Sequence, residues 1–215
     1  MAIGLPASDE QAPVTIVNPA GAGPFVLLCD HASNRMPSAY GGLGLSAEDR
    51  SAHIAWDPGA LGVSIELSRL LDAPLVHSTI SRLIIDCNRD QSAPDLIPEI
   101  SERTQIPGNQ NLSNLERGHR IAMAHRPFHD AIDDIIDRRV RNGDQSVLVS
   151  IHTYTPVHMG VTRPWEIGLL SNKDRRLVDP SLEFLRKKTK YLIGDNEPYS
   201  PSDGVYYTLE RHGER

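Results

Sequence analysis

The sequence predicts an α/β fold, a three-layer α/β/α sandwich around a mostly parallel, mixed sheet. Three observations lead there. Unbroken apolar runs at Phe25–Cys29, Leu83–Cys87 and from Val147 onward read as strands covered on both faces. Stretches with helical apolar spacing separate these runs, so strands and helices alternate along the chain. Polar residues, two of them histidines, follow directly on the runs, where open α/β sheets gather their ligands.

Taken in order, residues 1–23 carry Pro6, Pro13, Pro19 and Gly21 around a short apolar Val14–Val17. A loose N-terminal arm with one edge strand is expected. Phe25–Cys29 delivers Asp30 and His31 to its C-terminal end, and the loop that follows stops at Pro37. Ser38–Gly44 is glycine-rich and expected to be exposed. Ser46 should cap a short helix, with Asp49 three residues on. Pro58 can open the next helix, Gly59–Leu71, expected to bury Leu61, Ile65, Leu70 and Leu71. Strands at Pro74–Ser78 and Leu83–Cys87 come next, the latter running into Asn88, Arg89 and Asp90.

Gln91–Asn111 contains three prolines and little periodicity, the character of a lid or binding loop. Ser113 and Glu116 have capping-box spacing, opening a helix that runs toward His125 and that Pro127 should break or kink. Phe128, Ile132, Ile135, Ile136 and Arg139 continue a helical stripe up to Gly143, a C-terminal cap. A strand from Val147 ends in His152. Trp165–Leu170 then reads as a strand, Asp179–Lys188 as a helix, Tyr191–Ile193 as a strand and Ser200–Thr208 as a loop. There is no internal repeat, and residues 1–215 are taken as one domain, as their length suits.

Composition narrows the function. The chain has 215 residues, 39% of them apolar, enough for one sizeable core. Its net charge is −6, with no concentrated basic block outside Arg186–Lys190, which argues against nucleic acid as partner. No run of eighteen apolar residues suggests a membrane span. Met1–Pro13 lacks the basic start and apolar centre of a secretory signal. Cys29 and Cys87 both fall in apolar runs, as buried thiols of a reducing compartment would. The expectation is a soluble cytoplasmic protein.

His31 and His152 each end an apolar strand, and two such histidines can converge on one metal ion. A catalytic zinc takes about three protein ligands drawn from His, Asp and Glu, and keeps one position open. Asp57, between an apolar segment and a helix-starting proline, is the third candidate; its alternative role is a helix cap. Asp30 points to the opposite face from His31 and is expected to support rather than ligate. His53, four residues before Asp57, is a substrate or outer contact. An arginine fork at Arg89, with Asn88 as an added donor, suits capture of a carboxylate; the alternative is a salt bridge to Asp86 or Asp90. His125 and His129 have zinc-like spacing without the accompanying glutamate of HExxH, and read as surface decoration. His77 reads as a core or edge residue.

At these residues the chain resembles the N-formylglutamate amidohydrolase family, which is similar in fold and site design to the zinc carboxypeptidase and aspartoacylase clan. The matching pieces are DHASNRMP at 30–37, HIAWDPGA at 53–60, LIIDCNRD at 83–90 and SIHTYTP at 150–156, with Pro127–His129 and Asp203–Gly213 also similar. The resemblance implies one zinc per chain and hydrolysis of an N-acyl amide on an acidic amino acid. It places His31 and His152 on the metal histidines. Asn88 and Arg89 fall on the pair that binds the substrate carboxylate and helps polarise the carbonyl. The clan's His-x-x-Glu is here His31-x-x-Asn34, so Asp57 takes the third ligand position and Asn34 becomes a substrate contact. The clan's general base is a glutamate on a late strand, whereas this sequence ends in RHGER, where another strand is expected; Glu166 and Glu210 are the stand-ins. Arg89, Asp57 and Glu166 form the expected catalytic set, with Tyr154, Tyr206 and His212 lining the pocket. Two rivals stand beside this reading: a non-catalytic small-molecule binding domain on the same fold, and a deacylase for other N-acyl amino acids.

Overall fold

Val14–Val17 forms an edge strand, β1, in a computed structural model that describes residues 11–213; Pro6 and the start of the arm lie outside those residues. Phe25–Cys29 is β2, Leu75–Ser78 is β3, and two short strands, β4 (Ile100–Ser101) and β5 (Thr104–Gln105), pair in the long loop. Val147–Ser150 is β6. The main sheet has the order β1-β3-β2-β6, with β2 parallel to both neighbours and β1 antiparallel at the edge. A mostly parallel, mixed sheet with an N-terminal edge strand is what the sequence predicts; the structure adds that this edge strand runs antiparallel.

Strand β2 explains its own lack of alternation. Val26 and Leu28 face one side, where Phe128, Ile132 and Ile135 of the helix Arg126–Asn142 cover them. Leu27 and Cys29 face the other, under Ala60, Leu61, Leu67 and Leu71 of the helix Ala60–Leu71. Both faces are dry, so both must be apolar. The helices in chain order are α1 (Ala47–Ser51), α2 (Ala60–Leu71), α3 (Asn114–Arg120) and α4 (Arg126–Asn142). Ser46 and Ser113 cap α1 and α3 through the amides of Asp49 and Glu116. Gly143 ends α4 at φ 76°, the left-handed conformation that glycine adopts freely.

The structure departs from the sequence reading in several places. Helix α2 buries Ala60, Ser64 and Ser68, while Ile65 and Leu70 are 44% and 62% exposed. Small residues let the helix lie close on the sheet, and the two serines satisfy their hydroxyls on the carbonyls of Ala60 and Ala73. Leu83–Cys87 is buried but winds through turns instead of a strand. Its leucine and isoleucines join Leu43, Ile54, Leu96 and Ile106 in a second core beside the sheet, and a short apolar run looks the same from sequence in either setting. Leu43 is buried in that core too, within a segment expected to be exposed. Pro127 does not break the helix: α3 and α4 are joined by one π-helical turn, Ile121–His125, which absorbs the missing N–H. His125 and His129 are fully buried, not surface decoration; each lies on the inner side of that helix against the Arg89 and Cys87 carbonyls.

The rest of the chain sits beyond β6. Ribbon β7 (Val157–His158) with β8 (Val161–Thr162) leads to β9 (Ile167–Leu169). Helix α5 (Val178–Lys188) connects it to β10 (Ile193–Asp195), and β9 pairs parallel with β10 apart from the main sheet. The last strand starts at Ile193 rather than Tyr191, where the pairing with Ile167 begins. Helix α6 (Tyr207–Gly213) occupies the stretch where a strand was expected; Glu214 and Arg215 lie outside the described residues.

Candidate metal centre

The pairing register brings the two strand-end histidines together. Leu28 of β2 lies opposite Ser150 of β6, so the parallel chains leave the sheet side by side and carry His31 and His152 beyond the same edge. Their rings stand 5.0 Å apart, edge to face. Asp57 arrives from the turn before α2, held by its own N–H on the His31 carbonyl. One ligand atom from each of His31, Asp57 and His152 lies within 4.8 Å of the others. Asp57 Oδ2 is 2.9 Å from His152 Nδ1 and 3.5 Å from His31 Nδ1.

Each histidine has a carboxylate behind it. His31 Nε2 lies 2.7 Å from Asp86 Oδ1, and Asp86 also accepts from the Asn88 amide and from Arg82 Nη2 at 2.9 Å. A charged Asp86 accepts from Nε2 and fixes the ring so that Nδ1 faces Asp57 and His152. His152 Nε2 lies 3.4 Å from Asp30 Oδ2 and 3.1 Å from the Ser150 hydroxyl, which itself donates to Asp30. Thr208 of α6 donates its hydroxyl to the other Asp30 oxygen.

Electrostatics keep the acids ionised. Burial opposes the charge on Asp30, Asp57 and Asp86, but the facing histidines, joined at Asp86 by Arg82, outweigh it. All three carboxyls sit well below the usual carboxylate range. Burial also opposes a charge on His152, yet its contacts with Asp30 and Asp57 hold it up at about 10.

The donor set fits a divalent metal. His31 Nδ1 is a buried nitrogen with no hydrogen-bond partner, aimed at a carboxylate oxygen and a second imidazole. An unsatisfied buried polar atom of this kind is costly unless something binds it. Two imidazoles and a carboxylate, backed by second carboxylates, are the ligand chemistry of zinc and similar ions.

The other predicted residues are dispersed. Arg89 donates Nε to Asp95 at 2.7 Å and Nη1 to the carbonyls of Asn88 and Gly204; its acidic partner is Asp95, not Asp86 or Asp90. Asn88 is buried between the Val205 carbonyl and the Thr208 amide. Asn34 donates to the Arg50 carbonyl. His53 and His158 share one oxygen of Glu102, at 2.9 and 3.0 Å. Tyr154 donates its hydroxyl to the Trp165 carbonyl. Exposed Glu166 accepts from the Leu192 amide, and Glu210 is exposed on α6. His212 is buried between His129 and Asp133.

Arg82 and Thr208 escaped the sequence reading, as did the role of Asp86 behind His31. Arg82 lies 3.6 Å from Asp57 and 2.9 Å from Asp86, and both acids favour its charge against the cost of burial. Asp86 orients His31, and Thr208 braces Asp30. Arg82 stands just before the LIIDCNRD stretch, four residues ahead of Asp86, a spacing that could have flagged it. Nothing local flags Thr208, which is 178 residues from its partner.

An α/β sandwich that gathers two strand-end histidines and an aspartate defines a hydrolase-type candidate metal centre. The chain belongs to the N-formylglutamate amidohydrolase family, whose model matches residues 23–215. The chain is similar to the crystal structure of gene product Atu2144 from Agrobacterium tumefaciens, at 43% identity and a TM-score of 0.92, over 94% of this chain and 80% of that one. It shares its fold with an N-formylglutamate amidohydrolase from Ralstonia eutropha JMP134, at 20% identity and a TM-score of 0.59, over 88% and 78% of the two chains. No curated protein matches it. Family membership makes the protein an amidohydrolase.

Proposed function

We propose that the protein is a zinc-dependent amidohydrolase that removes a formyl or other small acyl group from the nitrogen of an acidic amino acid, using one zinc per chain. The observation that carries this reading is the buried His31 Nδ1, a nitrogen with no hydrogen-bond partner that lies among the ligand atoms of Asp57 and His152. Two buried, unpaired cysteines suit work in the cytoplasm.

A cation held by His31, Asp57 and His152 would supply a Lewis acid that polarises the acyl carbonyl and acidifies water. The chain's own residues do the rest. Asp86 keeps the proton on His31 Nε2 and so leaves Nδ1 free to ligate. Asp30, with Ser150 and Thr208, fixes the His152 ring. Arg82, 27% exposed beside Asp57, is placed to donate to the acyl oxygen as charge builds there, a contribution typically worth about 3 kcal/mol. Water adds to the carbonyl carbon, the C–N bond breaks, and the amine leaves with a proton drawn from that water.

The test is formate release from N-formyl-L-glutamate by purified protein, before and after chelation, with metal content measured alongside. Release that is lost with about one equivalent of zinc and restored by adding it back supports the proposal. A folded protein that takes up no metal and releases no formate overturns it in favour of a binding domain.

A further inference from the structure

Helix α4, helix α6 and the turn that carries Asp86 meet at a buried pair of histidines that the deacylation leaves unused. His129 Nε2 lies 3.0 Å from the Cys87 carbonyl oxygen, and His129 Nδ1 lies 2.8 Å from His212 Nε2. His212 Nδ1 in turn lies 3.0 Å from Asp133 Oδ1. The two rings are stacked with their centres 5.1 Å apart, and both residues are buried. At the outer end of this row Asp133 reaches water, its side chain 27% exposed.

Three hydrogen bonds need three protons. The carbonyl and an ionised carboxylate supply none, and each neutral imidazole supplies one, so the row must hold one proton more than its separated groups do. That proton does not rest on His129, because burial, with His125 and Arg211 beside it, holds that ring well below the usual histidine range. His129 therefore donates to Cys87 through Nε2 and accepts from His212 through Nδ1, and the third proton lies between His212 and Asp133. His125 stands 4.4 Å from His129, ring to ring, and Tyr207 of α6 stands 5.5 Å away. Asp30, at the end of β2, and the Cys87 thiol are the other titratable groups facing the pair.

Both ends of the row touch the supports of the candidate metal centre. Cys87 follows Asp86, which holds His31. Thr208 stands one helical turn before His212 on α6; its hydroxyl donates to Asp30 and its amide to Asn88. The turn behind His31 and the helix behind Asp30 and His152 are thus joined through His129 and His212.

We propose that Asp133, His212 and His129 form a proton-bearing latch that fastens α6 to the Asp86 turn and so positions the two carboxylates behind His31 and His152. The latch rests on the proposed metal centre for its consequence, but not for its proton count.

The experiment compares the full chain with Asp133→Asn, His212→Leu and Ile135→Ala, the last an apolar core residue of α4. In D133N the carboxamide donates its own proton to His212 Nδ1, so two neutral rings complete the row. Urea unfolding of metal-free protein is followed upward from about pH 6.5, the ordinary histidine value. The parent should lose stability as pH rises, because its folded form holds a proton that the unfolded chain releases. Its unfolding constant should climb up to about tenfold per pH unit more steeply than that of D133N. His152, also held charged in the folded chain, contributes equally to both proteins, so the difference belongs to the latch; equal slopes overturn it. In competition for zinc, H212L should bind about tenfold more weakly than the parent, while I135A, although destabilised, should stay within about twofold. H212L that binds zinc as well as I135A does overturns the positioning role. If H212L does not fold, nitrogen NMR of the histidine-labelled parent decides: a neutral His129 protonated on Nε2 upholds the latch, and one protonated on Nδ1 overturns it. A parent that takes up no zinc yet shows the steeper slope upholds the latch while the metal reading fails.

Discussion

Asp86→Asn tests the support behind the candidate metal centre. Every neighbour of the Asp86 carboxylate is a donor: His31 Nε2 at 2.7 Å and the Asn88 amide at 2.8 Å on one oxygen, Arg82 Nη2 at 2.9 Å on the other. A carboxamide has the same shape but one oxygen, so its NH2 must oppose a donor. Turned toward Arg82, it leaves a guanidinium facing N–H groups. Turned toward His31, it drives the proton from Nε2 to Nδ1, and the ligand lone pair is lost. Either outcome weakens the site, and changes of this kind typically cost about 10–100-fold in metal affinity, or roughly 1.4–2.7 kcal/mol. Folding should lose about 1–3 kcal/mol for the unpaired partner. Competition for zinc against a chromophoric chelator reads the first number, and urea unfolding with chelator present reads the second. Zinc affinity unchanged within twofold, in a variant that is folded, would refute the idea that Asp86 sets the His31 tautomer.

Three further outcomes follow from packing and protonation. Thr208→Val removes the hydroxyl that donates to buried Asp30 and should cost about 1–3 kcal/mol in urea unfolding; a stability equal to the parent's would show that the brace is idle. Phe128→Ala empties a fully buried site between α4 and the sheet and should cost about 3–5 kcal/mol, read by the same assay. Burial pushes the Cys29 thiol up to about 12 and Cys87 well above the ordinary value, so both stay protonated. Neither should react with a disulfide reagent at pH 8 until urea is added, and prompt labelling of the native protein would contradict this.

The sandwich was legible because each element that builds it has its signal nearby. Apolar runs marked β2, β3 and β6, serine caps marked α1 and α3, and Gly143 marked the end of α4. The convergence of His31, Asp57 and His152 was legible for a related reason: strand ends and a helix-starting proline are local features. What escaped was whatever depends on distant packing. Leu83–Cys87 is as apolar as a strand, yet its burial comes from Leu43, Leu96 and Ile106 across the chain. The inner face of α2 is written in Ala60, Ser64 and Ser68, which no hydrophobicity pattern highlights. Arg89 sits in a suggestive motif, but Asp95 and the Gly204 carbonyl draw its nitrogens elsewhere. The partners of Asp30 come from residues 150, 152 and 208, and only the register of the sheet and the docking of α6 bring them there.

The wide turn at Ile121–His125 sets the phase between two halves of one rod. Arg120, before it, reaches the Ile84 and Gly108 carbonyls and Asn109 in the outlying core; Phe128, after it, plugs the sheet. A straight α-helix advances about 100° per residue, so trimming a single position there would swing one of these side chains away from its socket while leaving both halves helical. Insertions and deletions should be tolerated in the surface ribbons long before they are tolerated at this joint.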